Sequence, residues 1–120
     1  MKVLVIDDEE DVRYIAHLSL GRVGGMTVLE ACSGEVGLEL ARTSSPDFIL
    51  LDMMMPGMDG EATFHALRAC DVTAEIPVVF LTAKTMAGEA KRLTGLGAKG
   101  LVLKPFNPMT LASELTELLR

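Results

Sequence analysis

Along this chain, short runs of consecutive apolar residues alternate with longer stretches in which apolar positions recur every three or four residues. Residues 3–6 (VLVI), 48–51 (FILL), 78–81 (VVFL) and 101–103 (LVL) are each bounded by polar or turn-forming residues. Continuous apolar runs of this length are the pattern of strands buried on both faces. A weaker run, residues 26–29 (MTVL), comes after the Gly24-Gly25 break and predicts a further strand. The intervening stretches carry helical spacing. Val12, Ile15, Ala16 and Ser19 share one face of the first, and Val36, Leu40 and Ala41 mark the second. In the last, Asn107 is placed to cap, Pro108 suits the first turn, and Leu111, Leu115, Leu118 and Leu119 form an apolar stripe. Strand then helix, five times over, predicts an α/β fold: a parallel sheet with helices on both faces, joined by right-handed crossovers.

Composition narrows the class. A chain of 120 residues with 49% hydrophobic content, mixed charge, no repeat and no linker-like segment is expected to form one domain, 1–120. No apolar run reaches the roughly 20 residues needed to cross a bilayer, and Met1-Lys2 leads into only four apolar residues, so a cytoplasmic location without membrane contact is expected. Cys32 and Cys70 lie far apart, with no CxxC and no histidine at metal-ligand spacing, which predicts free thiols and no zinc or redox site. The formal net charge of −6 opposes direct contact with nucleic acid.

The residues just after each strand carry the chemistry. In an open sheet of this kind ligands bind outside the carboxyl ends of the strands. VLVI runs into Asp7 and Asp8, FILL into Asp52, VVFL into Thr82, and LVL into Lys104. Taken singly each has an ordinary structural role, as a helix-start charge, a turn cap or a solvated strand end. Four such strand ends together are harder to assign to chance. Clustered carboxylates raise one another's pKa unless a cation sits among them. Oxygen-only ligands point to a hard ion, and a small cluster leaving water positions open suits Mg²⁺. Phosphoryl transfer asks a protein mainly for positioning and charge neutralisation, and a carboxylate such as Asp52 can be its nucleophile.

The segments VLVIDDEEDVR, FILLDMMMPGMDG, IPVVFLTA and GAKGLVLKPF together resemble the receiver domain of two-component response regulators, from Val3 through the last helix. The resemblance implies a doubly wound, flavodoxin-like five-stranded parallel sheet of order 2-1-3-4-5. It implies Asp52 as the phosphoacceptor, Asp8 as a direct Mg²⁺ ligand, Asp7 as a ligand through water, and the backbone carbonyl of Met54 as a further ligand. It implies Thr82 as the switch hydroxyl with Ala83 beside it, Lys104 as the lysine contacting the phosphoryl group, and a cis bond before Pro105. The implied partners are a sensor histidine kinase or histidine phosphotransfer protein, and an output protein or domain. The implied activity is a signalling switch that catalyses only its own phosphorylation and dephosphorylation, changing its surface around the fourth helix and fifth strand.

Two other readings use similar parts. A Mg²⁺-dependent phosphohydrolase with an aspartyl nucleophile would need a second acid two residues on, where Met54 stands, and an interaction module on the same scaffold usually lacks an acid, the acceptor or the lysine. A flavin or dinucleotide module would need a Gly-, Ser- or Thr-rich first loop, where this chain has DDEED. His17 and His65 each lie alone in a helical stretch, which favours plain surface roles over phosphate relay. The chain departs from its apparent relatives at Leu101, three residues before the lysine, where many carry an aromatic switch residue. The signal is therefore expected to run through the Thr82–Lys84 loop and a fourth helix starting near Thr85, with Met86 as a partner contact.

Overall fold

The computed structural model describes residues 1–83 and 88–120. The strands are β1 (Lys2–Ile6), β2 (Thr27–Ala31), β3 (Phe48–Asp52), β4 (Val78–Ala83) and β5 (Gly100–Lys104), and the α-helices are α1 (Glu10–Leu18), α2 (Gly34–Ser44), α3 (Gly60–Ala69), α4 (Ala90–Gly95) and α5 (Leu111–Leu119). All adjacent strands pair in parallel, in the order β2-β1-β3-β4-β5. The direction of strand addition therefore reverses between β1 and β3, the flavodoxin-like arrangement.

Period-two alternation divides the core into two layers. Leu4, Ile6, Ile49, Leu51, Val78 and Phe80 face one way, against Ala41 of α2, Phe64 and Leu67 of α3 and Leu93 of α4. Val3, Val5, Phe48, Leu50, Val79, Leu81 and Val102 face the other, against Ala16 of α1 and Leu111, Ala112 and Leu115 of α5. Each large apolar side chain fully buried this way contributes about 1.5 to 3 kcal/mol. The three central strands, closed to solvent on both faces, form the rigid base of everything at their carboxyl ends.

Several expectations need correction. Val36 is exposed, because α2 meets the sheet through Gly34, Gly37 and Ala41. A Cβ on Gly37 would collide with Ile6, so the helix packs closely through a glycine instead of through an apolar stripe. Ile15 is also exposed, at the edge of a groove beside Pro108. Ser19 lies past α1, in a π-helical turn, Ser19–Val23, that continues the first helical stretch, and its Oγ donates to the Pro108 carbonyl. The second strand lies slightly later than MTVL, and Leu103 is exposed because β5 is an edge strand. Asn107 does not cap α5. Its Oδ1 accepts from the Met109 N–H at 2.9 Å and its carbonyl from Leu111 N–H at 3.0 Å, making a turn that precedes the helix at Thr110. Lys84, Thr85 and Met86 lie outside the described residues; from Gly88 on, α4 occupies Ala90–Gly95.

Candidate functional site

The reversal between β1 and β3 is where a doubly wound sheet opens a crevice, and two carboxylates stand there. β1 runs directly into Asp7, which is fully buried, and β3 ends in Asp52, which is 2% exposed. Lys104 reaches them from the end of β5. Its Nζ lies 2.9 Å from Asp7 Oδ2, 3.1 Å from Asp52 Oδ1 and 3.4 Å from Glu9 Oε1.

Local backbone geometry fixes each group. Glu9 N–H donates to Asp7 Oδ1 at 2.9 Å, and Met54 N–H donates to Asp52 Oδ1 at 3.3 Å. Asp59 caps α3 by accepting from the Ala62 N–H at 2.8 Å, and Gly60 N–H donates to the Met53 carbonyl at 3.1 Å. A Cβ on Gly60 would overlap the Asp52 carbonyl oxygen, so this glycine lets α3 start directly beneath the β3 terminus. Gly57, at φ +73°, provides the left-handed turn of the MPGMDG loop.

The electrostatics arise from burial. Desolvation, then the neighbouring charge of Asp7, push the Asp52 carboxyl up to about 6 from 3.8, against the pull of Lys104. Burial disfavours the Lys104 ammonium, yet its close contacts with the charges of Asp7 and Asp52 together raise it above its ordinary value. One lysine thus serves two buried acids incompletely. Asp52 Oδ2 has no hydrogen-bond partner among the described residues, and Asp7 Oδ2 has the lysine charge beside it but no aligned hydrogen bond. Carboxylate oxygens of Asp7, Asp8, Glu9 and Asp52 can be chosen within 4.8 Å of one another. Unsatisfied buried carboxylate oxygens in an all-oxygen cluster are the donor set of a hard divalent cation, and the residues fit Mg²⁺.

The other residues singled out in the sequence are distributed around this cluster. Asp8 is exposed at its mouth, and the Met54 side chain points to solvent, leaving only its backbone to face the site. Thr82 is buried at the end of β4, its hydroxyl 3.5 Å from the Ala83 carbonyl; Ala83 is exposed. Leu101 is half-buried, packed against the layer that contains Phe80. The Lys104–Pro105 peptide is cis. His17 and His65 are exposed and pair with Glu30 and Glu61, away from the carboxylates. Glu9, Gly60 and Arg13 also serve the site, although hydrophobic pattern and strand-end position do not single them out. Glu9 is visible as the third acid of DDEED, and Gly60 as the glycine that opens a helix after MD.

These features define a flavodoxin-like α/β domain with an acidic pocket at the switch point of its sheet, bridged among the described residues by Lys104. The family model described as response regulator receiver domain matches residues 3–116. The chain is 38% identical to the probable transcriptional regulator ycf27 of Cyanophora paradoxa, over 99% of this chain and 48% of that protein. It is 35% identical to the alkaline phosphatase synthesis transcriptional regulatory protein PhoP of Bacillus subtilis, again over 99% of this chain and 48% of the relative. Among solved structures, the Vibrio cholerae chemotaxis protein CheY4 superposes with a TM-score of 0.88 at 32% identity, covering 98% of this chain and 97% of that one. The chain belongs to the response regulator receiver domain family, and it spans about half the length of the curated relatives it matches. Among the described residues no helix is long and apolar enough to cross a membrane.

Proposed function

We propose that this domain is a phosphorylation-activated switch in which Asp52 accepts a phosphoryl group from the phosphohistidine of a sensor kinase or phosphotransfer protein. The observation that supports this reading is the half-satisfied pair of buried acids: Lys104 bridges Asp7 and Asp52, while Asp52 Oδ2 lacks a hydrogen-bond partner among the described residues. That oxygen is the nucleophile. It bonds to phosphorus as the bond to the donor nitrogen breaks, and Lys104, already beside Asp52, pairs with a phosphoryl oxygen in the product. The Thr82 hydroxyl, one residue from the strand end, contacts another.

Asp8, Asp52 and the Met54 backbone carbonyl would hold Mg²⁺ directly and Asp7 through water; when bound, the ion neutralises charge on the transferring group. Apart from its own phosphorylation and later hydrolysis, the domain turns over no substrate. The phosphorylated state is read at the surface around α4 and β5 by an output protein or domain. As Leu101 has no ring to swing inward, the Thr82-side loop carries most of the change.

Incubation with Mg²⁺ and a small phosphodonor, an acyl phosphate or phosphoramidate, is expected to add one acid-stable, base-labile phosphoryl group, and chelation should prevent it. A chain that stays unlabelled with Mg²⁺ present would overturn the reading. The Asp8→Ala variant removes a direct ligand from the exposed side of the cluster, where folding is not at stake. Its Mg²⁺ affinity, measured by titration, is expected to fall about tenfold or more; unchanged affinity would remove Asp8 from the ligand set.

A further inference from the structure

We propose that Arg13 is a positioning residue that holds the Asp7–Asp8 backbone in the conformation that gathers the carboxylates around a divalent cation; this rests on the Mg²⁺ reading above. Both polar groups of the Asp7 backbone are committed. Its N–H donates to the Ala31 carbonyl of β2 at 3.1 Å, and its carbonyl accepts from Arg13 Nη1 at 2.7 Å. The second bond runs backwards, from the first turns of α1 to a residue three positions before the helix. It fastens the entry to α1 from the helix side, where Glu9 at the cap position makes no side-chain capping bond among the described residues.

The guanidinium is itself held from the far side. Arg13 Nε lies 3.4 Å from Glu30 Oε1 on β2, and Glu30 Oε2 lies 2.7 Å from His17 Nδ1. Glu30 is in register with Val5 of β1. The side chain of Arg13 is only 16% exposed. A planar fork with several donors can meet the Asp7 carbonyl and Glu30 at once, which a point-charge ammonium cannot do with the same geometry. The chain Glu30–Arg13–Asp7 carbonyl thus ties strand β2 to the loop whose next two side chains, Asp8 and Glu9, complete the acidic cluster. Groups one step removed from a metal set the orientation of its ligands, and their loss typically weakens the site about 10- to 100-fold.

Charge alone makes the opposite prediction. A guanidinium beside a cluster of carboxylates competes with a divalent cation, so removing it without disturbing the loop would tighten Mg²⁺ binding. The sign of the change separates the two roles.

The test is Mg²⁺ titration of the full chain by NMR amide shifts, with circular dichroism to establish that each variant is folded. Arg13→Ala is expected to raise the Mg²⁺ Kd about tenfold. Arg13→Lys, which can still donate to the Asp7 carbonyl, should recover most of that loss. The Mg²⁺ concentration for half-maximal phosphorylation of Asp52 should rise by the same factor, with the rate at saturating Mg²⁺ unchanged; a general structural defect would lower the saturated rate too. An unchanged or lowered Kd in Arg13→Ala overturns the proposal. Should Arg13→Ala not fold, Glu30→Ala, at a surface position, replaces it: a Kd raised about two- to threefold supports the role, and an unchanged Kd refutes it. Wild-type chain that binds no Mg²⁺ overturns both this proposal and the Mg²⁺ reading, whereas normal wild-type binding with unaffected variants removes Arg13 alone.

Discussion

Replacing Asp52 with asparagine is expected to abolish phosphorylation and, at the same time, to make the metal-free domain more stable. The first outcome comes from removing the nucleophilic oxygen: with Mg²⁺ and a small phosphodonor, Asp52→Asn should take up no base-labile phosphoryl group, and labelling equal to wild type would reassign the acceptor. The second comes from the environment. Desolvation first, and Asp7 second, hold the Asp52 carboxyl up at about 6. A carboxyl whose folded pKa lies above its unfolded value favours the folded state only when protonated. Wild-type stability should therefore fall as pH rises from about 4 to about 6, and stay low above that. Asparagine keeps the shape and removes the ionisation. The stability difference should be on the order of 2 to 3 kcal/mol at pH 8, since each pKa unit corresponds to about 1.4 kcal/mol, and should shrink towards zero near pH 4. Thermal melts in EDTA at pH 4.5 and pH 8 measure it. A variant no more stable than wild type at pH 8 would show that Asp52 is not under strain in the metal-free state.

This tension between function and stability explains why the site is so legible in the chain. Four polar groups stand at the ends of four apolar runs because strands buried on both faces can place them rigidly at one edge, and Asp7, Asp52 and Lys104 do meet there. The central strands are equally clear, for VLVI, FILL and VVFL need no periodicity to mark them as interior. The errors arise where contact is made by something other than an apolar side chain. The α2 contact runs through Gly37, which hydrophobic spacing cannot register, so spacing points Val36 inward when it faces solvent. The turn at Asn107 bonds its own loop before any helix begins, although an Asn-Pro pair before an apolar stripe has the composition of a helix start. Arg13 escapes notice for a related reason. On a helical wheel it is one more polar residue beside Val12, and its bond to the Asp7 carbonyl depends on how α1 lies across the end of β1. Gly60 is open to suspicion from sequence, since a glycine in the first turn of a helix weakens it unless close approach is required.

The other large effect is expected at Lys104. The Lys104→Met variant keeps most of the aliphatic stem beside Pro105 and Phe106 and removes only the charge, so the change reports on the acids that the ammonium serves. Taking away one partner of a buried ion pair costs about 3 to 5 kcal/mol when the other is left fully enclosed. Here the lysine side chain is 18% exposed and the cluster opens to water at Asp8 and Glu9, so about 2 to 3 kcal/mol is the expected loss at pH 8 in EDTA. The pH dependence has a definite sign. Lys104 has a folded pKa raised above its unfolded value near 10.4, so its stabilising contribution is complete at neutral pH and is lost only in strong alkali. Without it, the Asp52 carboxyl should rise further above 6, and protonation below that value relieves the repulsion with Asp7. The destabilisation should thus be large at pH 8 and small at pH 5. Mg²⁺ should restore part of it by supplying the missing positive charge, and Lys104→Met combined with Asp52→Asn should be more stable than Lys104→Met alone, because only Asp7 then remains charged and buried. Melts of the two variants at both pH values, with and without Mg²⁺, decide the matter. A loss of equal size at pH 5 and pH 8, untouched by Mg²⁺, would mean that Lys104 stabilises the domain by packing and that the two acids do not depend on its charge.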